Sequence, residues 1–166
     1  MRRLIIDGYN VLRSASRYAE FASDSLDEAR ERLIADLGSR VVEGQSVTVV
    51  FDGAGNPGSD GTPLISGGVT VIFSPCGVEA DTVIERLAAE ARLNQDETLI
   101  VTSDTATRWT ALGGAVTVLR SSTFGDELTE DEADWREHAA PDRRRATVDQ
   151  RLDSVTKARM LRMRRG

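Results

Sequence analysis

Five short apolar runs punctuate the chain, and polar, helix-spaced segments separate them. The runs are Leu4–Ile6, Val47–Phe51, Val69–Phe73, Leu99–Thr102 and Val116–Leu119. Each is continuous and β-branched rather than alternating, which is the pattern of strands buried on both faces. Between the first two runs, a segment from Asp24 to Val42 places Leu26, Ala29, Leu33 and Leu37 at helical spacing. Between the third and fourth, Val78–Leu93 carries Val83, Leu87 and Ala91 on one stripe, and a helix over about Thr105–Leu112 links the last two runs. Strand and helix in alternation predict an α/β domain with a parallel sheet of about five strands, covered on both faces.

Later segments change character. "DGAGNPGSDGTP" after the second run is a loop by composition. It contains G-x-G-x-x-G, but Pro57 and the residues after it allow no helix to open there, so a dinucleotide fingerprint is excluded. A loop flanking a cleft is expected instead. Thr123–Ala140 is acidic and helical by pattern, Pro141 breaks it, and a basic amphipathic helix is predicted over about Ala146–Arg164. The chain thus divides into a body, residues 1–128, and an acidic-then-basic helical extension, residues 129–166.

Charge sharpens that division. Residues 1–140 hold 12 Arg against 24 Asp and Glu, whereas residues 141–166 hold 8 Arg and 1 Lys against 3 Asp. The tail therefore meets either a polyanion or the acidic body itself, and both readings stand. Arg143, Arg144, Arg145, Lys157, Arg159, Arg162, Arg164 and Arg165 are the residues that would neutralise phosphates. One cysteine, Cys76, rules out an internal disulfide, and one histidine, His138, argues against histidine-based zinc sites and catalysis. No apolar run reaches the ~20 residues of a membrane span. Asp7 interrupts the first run before it attains the length of a signal-peptide core, so a cytoplasmic protein is expected.

The acidic residues share an address. Asp7, Asp52 and Asp104 each follow a strand, and Glu79 and Asp81 open the helix after the third run. In a parallel sheet all strand carboxyl ends lie on one edge, where ligands bind. Carboxylates gathered there repel one another unless a cation neutralises them, which points to Mg²⁺ or Mn²⁺. Asn10 and Ser103 can add neutral oxygens. No covalent nucleophile stands beside a base, so metal-activated water is the simpler chemistry. Taken singly, each acid has a structural reading: Asp81 and Asp104, like Asn10, as helix caps, Asp52 as a turn residue, Glu79 as a partner of its helix dipole. Tyr9 either stacks on a base or packs under the cleft. A receiver-like or dehalogenase-like phosphotransferase is excluded, because Gly8-Tyr9 follow Asp7 and the sole lysine lies in the tail.

Four motifs, "LIIDGYNVL", "VTVVFDG", "GVEADTVIERLA" and "LIVTSD", resemble those of NYN-domain proteins in order and spacing. The YacP-like branch, with its three-layer PIN-like fold, is the nearest in pattern, over roughly residues 3–125. The resemblance implies a metal-dependent ribonuclease, an endonuclease hydrolysing RNA phosphodiesters in turnover or processing linked to translation. RNA, including ribosome- or tRNA-associated RNA, is the implied partner. The family's acidic positions map onto Asp7, Asp81 and Asp104, with Asn10 beside them and Asp52 and Glu79 also in motif positions. The alternative is a non-catalytic RNA-binding module on the same fold. Nothing in the sequence sets the oligomeric state.

Overall fold

The computed structural model describes residues 1–103 and 115–139, with the backbone alone for Glu20 and residues 131–139. Six strands form one sheet: β1 Arg2–Asp7, β2 Gln45–Phe51, β3 Leu64–Ser66, β4 Val69–Phe73, β5 Glu97–Thr102 and β6 Val116–Arg120. Their spatial order is β3-β4-β2-β1-β5-β6, and every pairing is parallel except β3 with β4. Among the described residues, five helices accompany them: α1 Gly8–Ser14, α2 Ser16–Asp24, α3 Leu26–Gly38, α4 Ala80–Leu93 and α5 Ser121–Ala139.

All five strands expected from the apolar runs are present. The sixth, β3, is not among them. It has three residues, all exposed, and so carries neither a burial pattern nor a period. The chain between β1 and β2 holds three helices where the pattern predicts one. α3 matches the predicted stripe, with Ala29, Leu33 and Leu37 buried, but Leu26 stays 43% exposed. α1 and α2 are too short for a helical stripe to stand out, at seven and nine residues. The helix expected over Thr105–Leu112 and the basic helix over Ala146–Arg164 lie outside the described residues.

The pleat sorts each strand's apolar residues between two cores. Ile6, Val49, Phe51, Val71 and Val101 join Val11, Leu12, Tyr18, Leu33, Leu37 and Phe124 on one face. Ile5, Val50, Ile72 and Ile100 meet Val83, Ile84 and Ala88 of α4 on the other. This two-sided burial explains the continuous apolar runs and gives three layers. Residues Met1–Glu130 form one compact unit. No helix of the described residues is long and apolar enough to cross a membrane.

A partly buried polar cluster braces the helical layer. The Tyr18 hydroxyl donates to Asp36 Oδ2 at 2.9 Å, and Arg17 Nε donates to the same oxygen at 2.9 Å. Burial, with Asp36 beside it, pushes the Tyr18 phenol above its ordinary range, so it stays a donor at neutral pH. The loop after β2 is likewise well tied: Gly53 N–H donates to Ser74 Oγ, Ser59 Oγ to the Ser74 carbonyl, and Cys76 N–H to the Ser59 carbonyl.

Gly8 is required by close packing. It opens α1 without a left-handed backbone. A Cβ there would stand 2.3 Å from the Phe51 ring. Gly8→Ala is therefore expected to destabilise the protein by about 1–3 kcal/mol through overpacking, a loss that urea denaturation measures.

Candidate functional site

Order in the sheet decides where the site lies. The chain runs from β1 outward through β2 to β4, then returns to β5 on the other side of β1. The carboxyl end of β1 is thus the topological switch point, where an open α/β sheet leaves a crevice. Asp7 is the last residue of β1.

Its carboxylate is fixed at both oxygens. Asp7 caps α1, with Oδ1 accepting the Asn10 N–H at 3.0 Å. Asn10 Nδ2 donates to Asp7 Oδ2 at 2.7 Å and to Thr102 Oγ1 on the neighbouring strand at 3.1 Å. Only 7% of Asp7 is exposed. Burial raises its pKa to about 6, opposed by the Asn10 N–H, and the charges of Asp81 and Asp52 push further upward while Arg13 pulls down.

A cleft of about 220 Å³ opens over this carboxylate, lined by Asp7, Tyr9, Asn10, Arg13, Asp52, Glu79, Ala80 and Asp81. Four of the five acids expected at this edge therefore meet. Asp52 Oδ1 accepts the Ala54 N–H at 2.8 Å, so the turn reading and the cleft position both hold for it. Glu79 occupies the N-cap position of α4 without a side-chain cap bond, and Asp81 lies in the first turn, so neither acid acts as a side-chain cap. Asn10 is not a cap either; Asp7 is, and Asn10 is the residue that holds it.

Other expected residues fall elsewhere. Ser103 is exposed and outside the cleft lining, its Oγ 3.5 Å from that of Ser14. Its neighbour Thr102 bonds to Asn10 instead. Asp104 and the eight phosphate-neutralising residues named in the tail lie outside the described residues. Among the described residues, no three His, Cys, Asp or Glu side chains are grouped tightly enough to hold a metal ion. The donor chemistry still suits a hard cation: four carboxylates, one of them desolvated and repelled by two others, with no sulfur or imidazole.

One site residue has no counterpart in the sequence reading, and another gains a second role. Arg13 brings a positive charge into the acidic cleft, and its guanidinium lies 5.9 Å from the Tyr9 ring centroid. Tyr9 rests on Phe51 at 5.2 Å and accepts from Arg30 Nε at 3.1 Å. It both packs and lines the cleft. With α1 legible, the i, i+4 spacing of Tyr9 and Arg13 would put both on its cleft side.

Comparison with known proteins gives the family and the fold. A family model described as the YacP-like NYN domain matches residues 4–165. This chain belongs to the YacP-like NYN family. The match runs beyond Leu128 and takes in the acidic segment and the basic tail, which the motif resemblance does not reach. YacP of Bacillus subtilis strain 168, an uncharacterized protein, is 30% identical over 111 residues, which is 66% of this chain and 65% of that protein. The aligned stretch is thus just under two thirds of that relative's length. The crystal structure of Rae1 (YacP) from Bacillus subtilis superposes with a TM-score of 0.65 at 23% identity, covering 97% of this chain and 90% of that one. A single-substitution mutant of the same protein gives 0.61 at 24%, covering 95% and 85%. The fold of this NYN domain is therefore PIN-like, a nuclease-type architecture.

The desolvated carboxylate has a consequence for stability. An unfolded Asp releases its proton at about pH 4, whereas folded Asp7 keeps it to about 6. The folded state binds the extra proton between those values, so this group's contribution declines as pH rises through that window. In EDTA, this group is expected to cost the wild type roughly 2 kcal/mol of stability between pH 4 and pH 8, a pH-dependent loss that Asp7→Asn removes. Urea denaturation at the two pH values checks it.

Proposed function

We propose that this NYN domain is a divalent-metal-dependent ribonuclease that hydrolyses RNA phosphodiesters internally, as an endoribonuclease. The observation that carries the reading is the meeting of Asp7, Asp52, Glu79 and Asp81 in one cleft at the end of the central strand. A binding surface for a polyanion has no use for four carboxylates facing the phosphate, and desolvating one of them raises the cost. A site for a hard cation uses both features.

Asp7 and Asp81 would hold Mg²⁺ or Mn²⁺ together with Asp104, with Asp52 and Glu79 supporting through water. When bound, such an ion polarises the phosphodiester and lowers the pKa of the attacking water. The chain's own residues do the rest. Asn10, clamped between Asp7 and Thr102, keeps the Asp7 oxygens in one orientation. Arg13 neutralises a phosphate at the rim, and the acidic body repels the remainder of the strand. The basic tail, Arg143 to Arg165, offsets that repulsion by docking RNA. Attack of water at phosphorus forms one P–O bond and breaks another, leaving one RNA fragment with a phosphate end and one with a hydroxyl end.

Wild-type protein is expected to cut a labelled single-stranded RNA internally in Mg²⁺ and not in EDTA, with Asp7→Asn and Asp81→Asn reduced to background while still folded. RNA that is bound but never cut by the wild type would leave the non-catalytic binding module as the reading. Truncation at Pro141 is expected to weaken RNA binding and lower its salt slope by about one unit for each phosphate that the tail neutralises. Fluorescence anisotropy at several salt concentrations measures it.

A further inference from the structure

A second, larger cleft adjoins the acidic one. It measures about 560 Å³ and is lined by Tyr9, Leu12 and Arg13 of α1, Ala19, Ala22 and Ser23 of α2, and Leu26 of α3. Tyr9 and Arg13 line both clefts, so one aromatic ring and one guanidinium form a shared wall. The volume falls within the ~300–1,000 Å³ typical of small-molecule sites. Among the described residues no carboxylate lines it, whereas four line its neighbour. Leu26 explains itself here: it leaves the buried stripe of α3 and stands 43% exposed at this cleft.

We propose that this cleft is a nucleobase subsite, which takes one unpaired base of the RNA strand whose phosphate lies in the acidic cleft. The proposal rests on the ribonuclease reading for the position of the phosphate. It rests on this geometry for the base. A nucleotide joins a flat apolar ring to an anion through a short sugar, and the two adjoining clefts offer an apolar wall beside a cation. Tyr9 is held rigid by Phe51 on one side and by the Arg30 bond to its hydroxyl, with the Arg30 guanidinium 5.7 Å from its ring centroid. It serves as a fixed edge rather than a mobile flap. Arg13 lies between the clefts and can pair with the phosphate while its planar group faces the base. The alanines at 19 and 22 leave the room that a base fills. The site accepts a base only when it is unstacked and unpaired, so it selects single-stranded RNA over duplex.

The test is equilibrium binding in the uncleaving Asp81→Asn background, using a short single-stranded RNA in which an abasic residue is moved one position at a time. The expected result is one position at which base removal weakens binding roughly 10-fold, with little change at the others. Ala19→Trp, which fills the cleft from an exposed position on α2, is expected to weaken binding of the intact RNA by a similar factor and to erase the penalty at that position. Leu26→Ala, also at an exposed position, is expected to reduce the same penalty in part and covers the case of a poorly folded tryptophan variant. Binding that is tight but indifferent to abasic position and to both variants overturns the subsite and leaves the ribonuclease reading intact. Absence of any RNA binding overturns both. A dimer in sedimentation that Ala19→Trp dissociates would assign the cleft to a second copy of the chain and overturn the proposal as well.

Discussion

The clamp of Asn10 on Asp7 is the interaction on which the site depends. One amide nitrogen reaches a carboxylate on β1 and a hydroxyl on β5, joining α1 to two adjacent strands. The same carboxylate also caps α1 through the Asn10 N–H. A buried Asp is costly, and here the cost is met by two hydrogen bonds and the start of a helix. Under the proposed function, folding and chemistry would share a residue. The cap reading and the ligand reading of Asp7 are not rivals, because a carboxylate whose oxygens are aimed by a helix would need no reorientation to meet a cation.

Much of this is legible in the sequence because parallel strands buried on both faces leave continuous apolar runs. Each run stops where the sheet stops, so the acids after them point to one edge, and Asp7, Asp52, Glu79 and Asp81 do share a cleft. What escapes notice has no long pattern to show. β3 is three exposed residues, and α1 and α2 are short helices of seven and nine, broken at Ala15. With α1 hidden, Arg13 is hidden too. The bond to Asn10 comes from Thr102 and not from Ser103, and the end of the strand explains it: Thr102 is still within β5, buried beside Asn10, whereas Ser103 has left the strand. Gly8 has no side chain to carry a pattern, and its role is to let α1 approach the Phe51 ring.

Aromatic packing links the core to the rim. Phe73 stacks on Phe51 at 5.4 Å, Phe51 supports Tyr9 at 5.2 Å, and Tyr9 stands between the two clefts. Arg30 lies over both Tyr9 and Phe73, which ties α3 to the same column. The position of the tyrosine is thus set by strands β2 and β4 rather than by α1 alone, and the wall between the clefts inherits the order of the sheet.

The single-residue joints at Ala15 and Ser25 have a different consequence. Helices of seven and nine residues are not stable by themselves, so α1 and α2 persist through packing such as that of Gly125 of α5 against Ala15, where a Cβ would come within 2.3 Å. β1, by contrast, has a strand on each side. Amide exchange should then divide the protein into a slow half that carries the carboxylates and a faster half that forms the far wall of the larger cleft. Chemistry would be held on the part that opens only with the whole domain. Recognition would fall to α2, which carries no residue of the Asn10–Asp7 clamp and so can adjust to a strand without disturbing the acids.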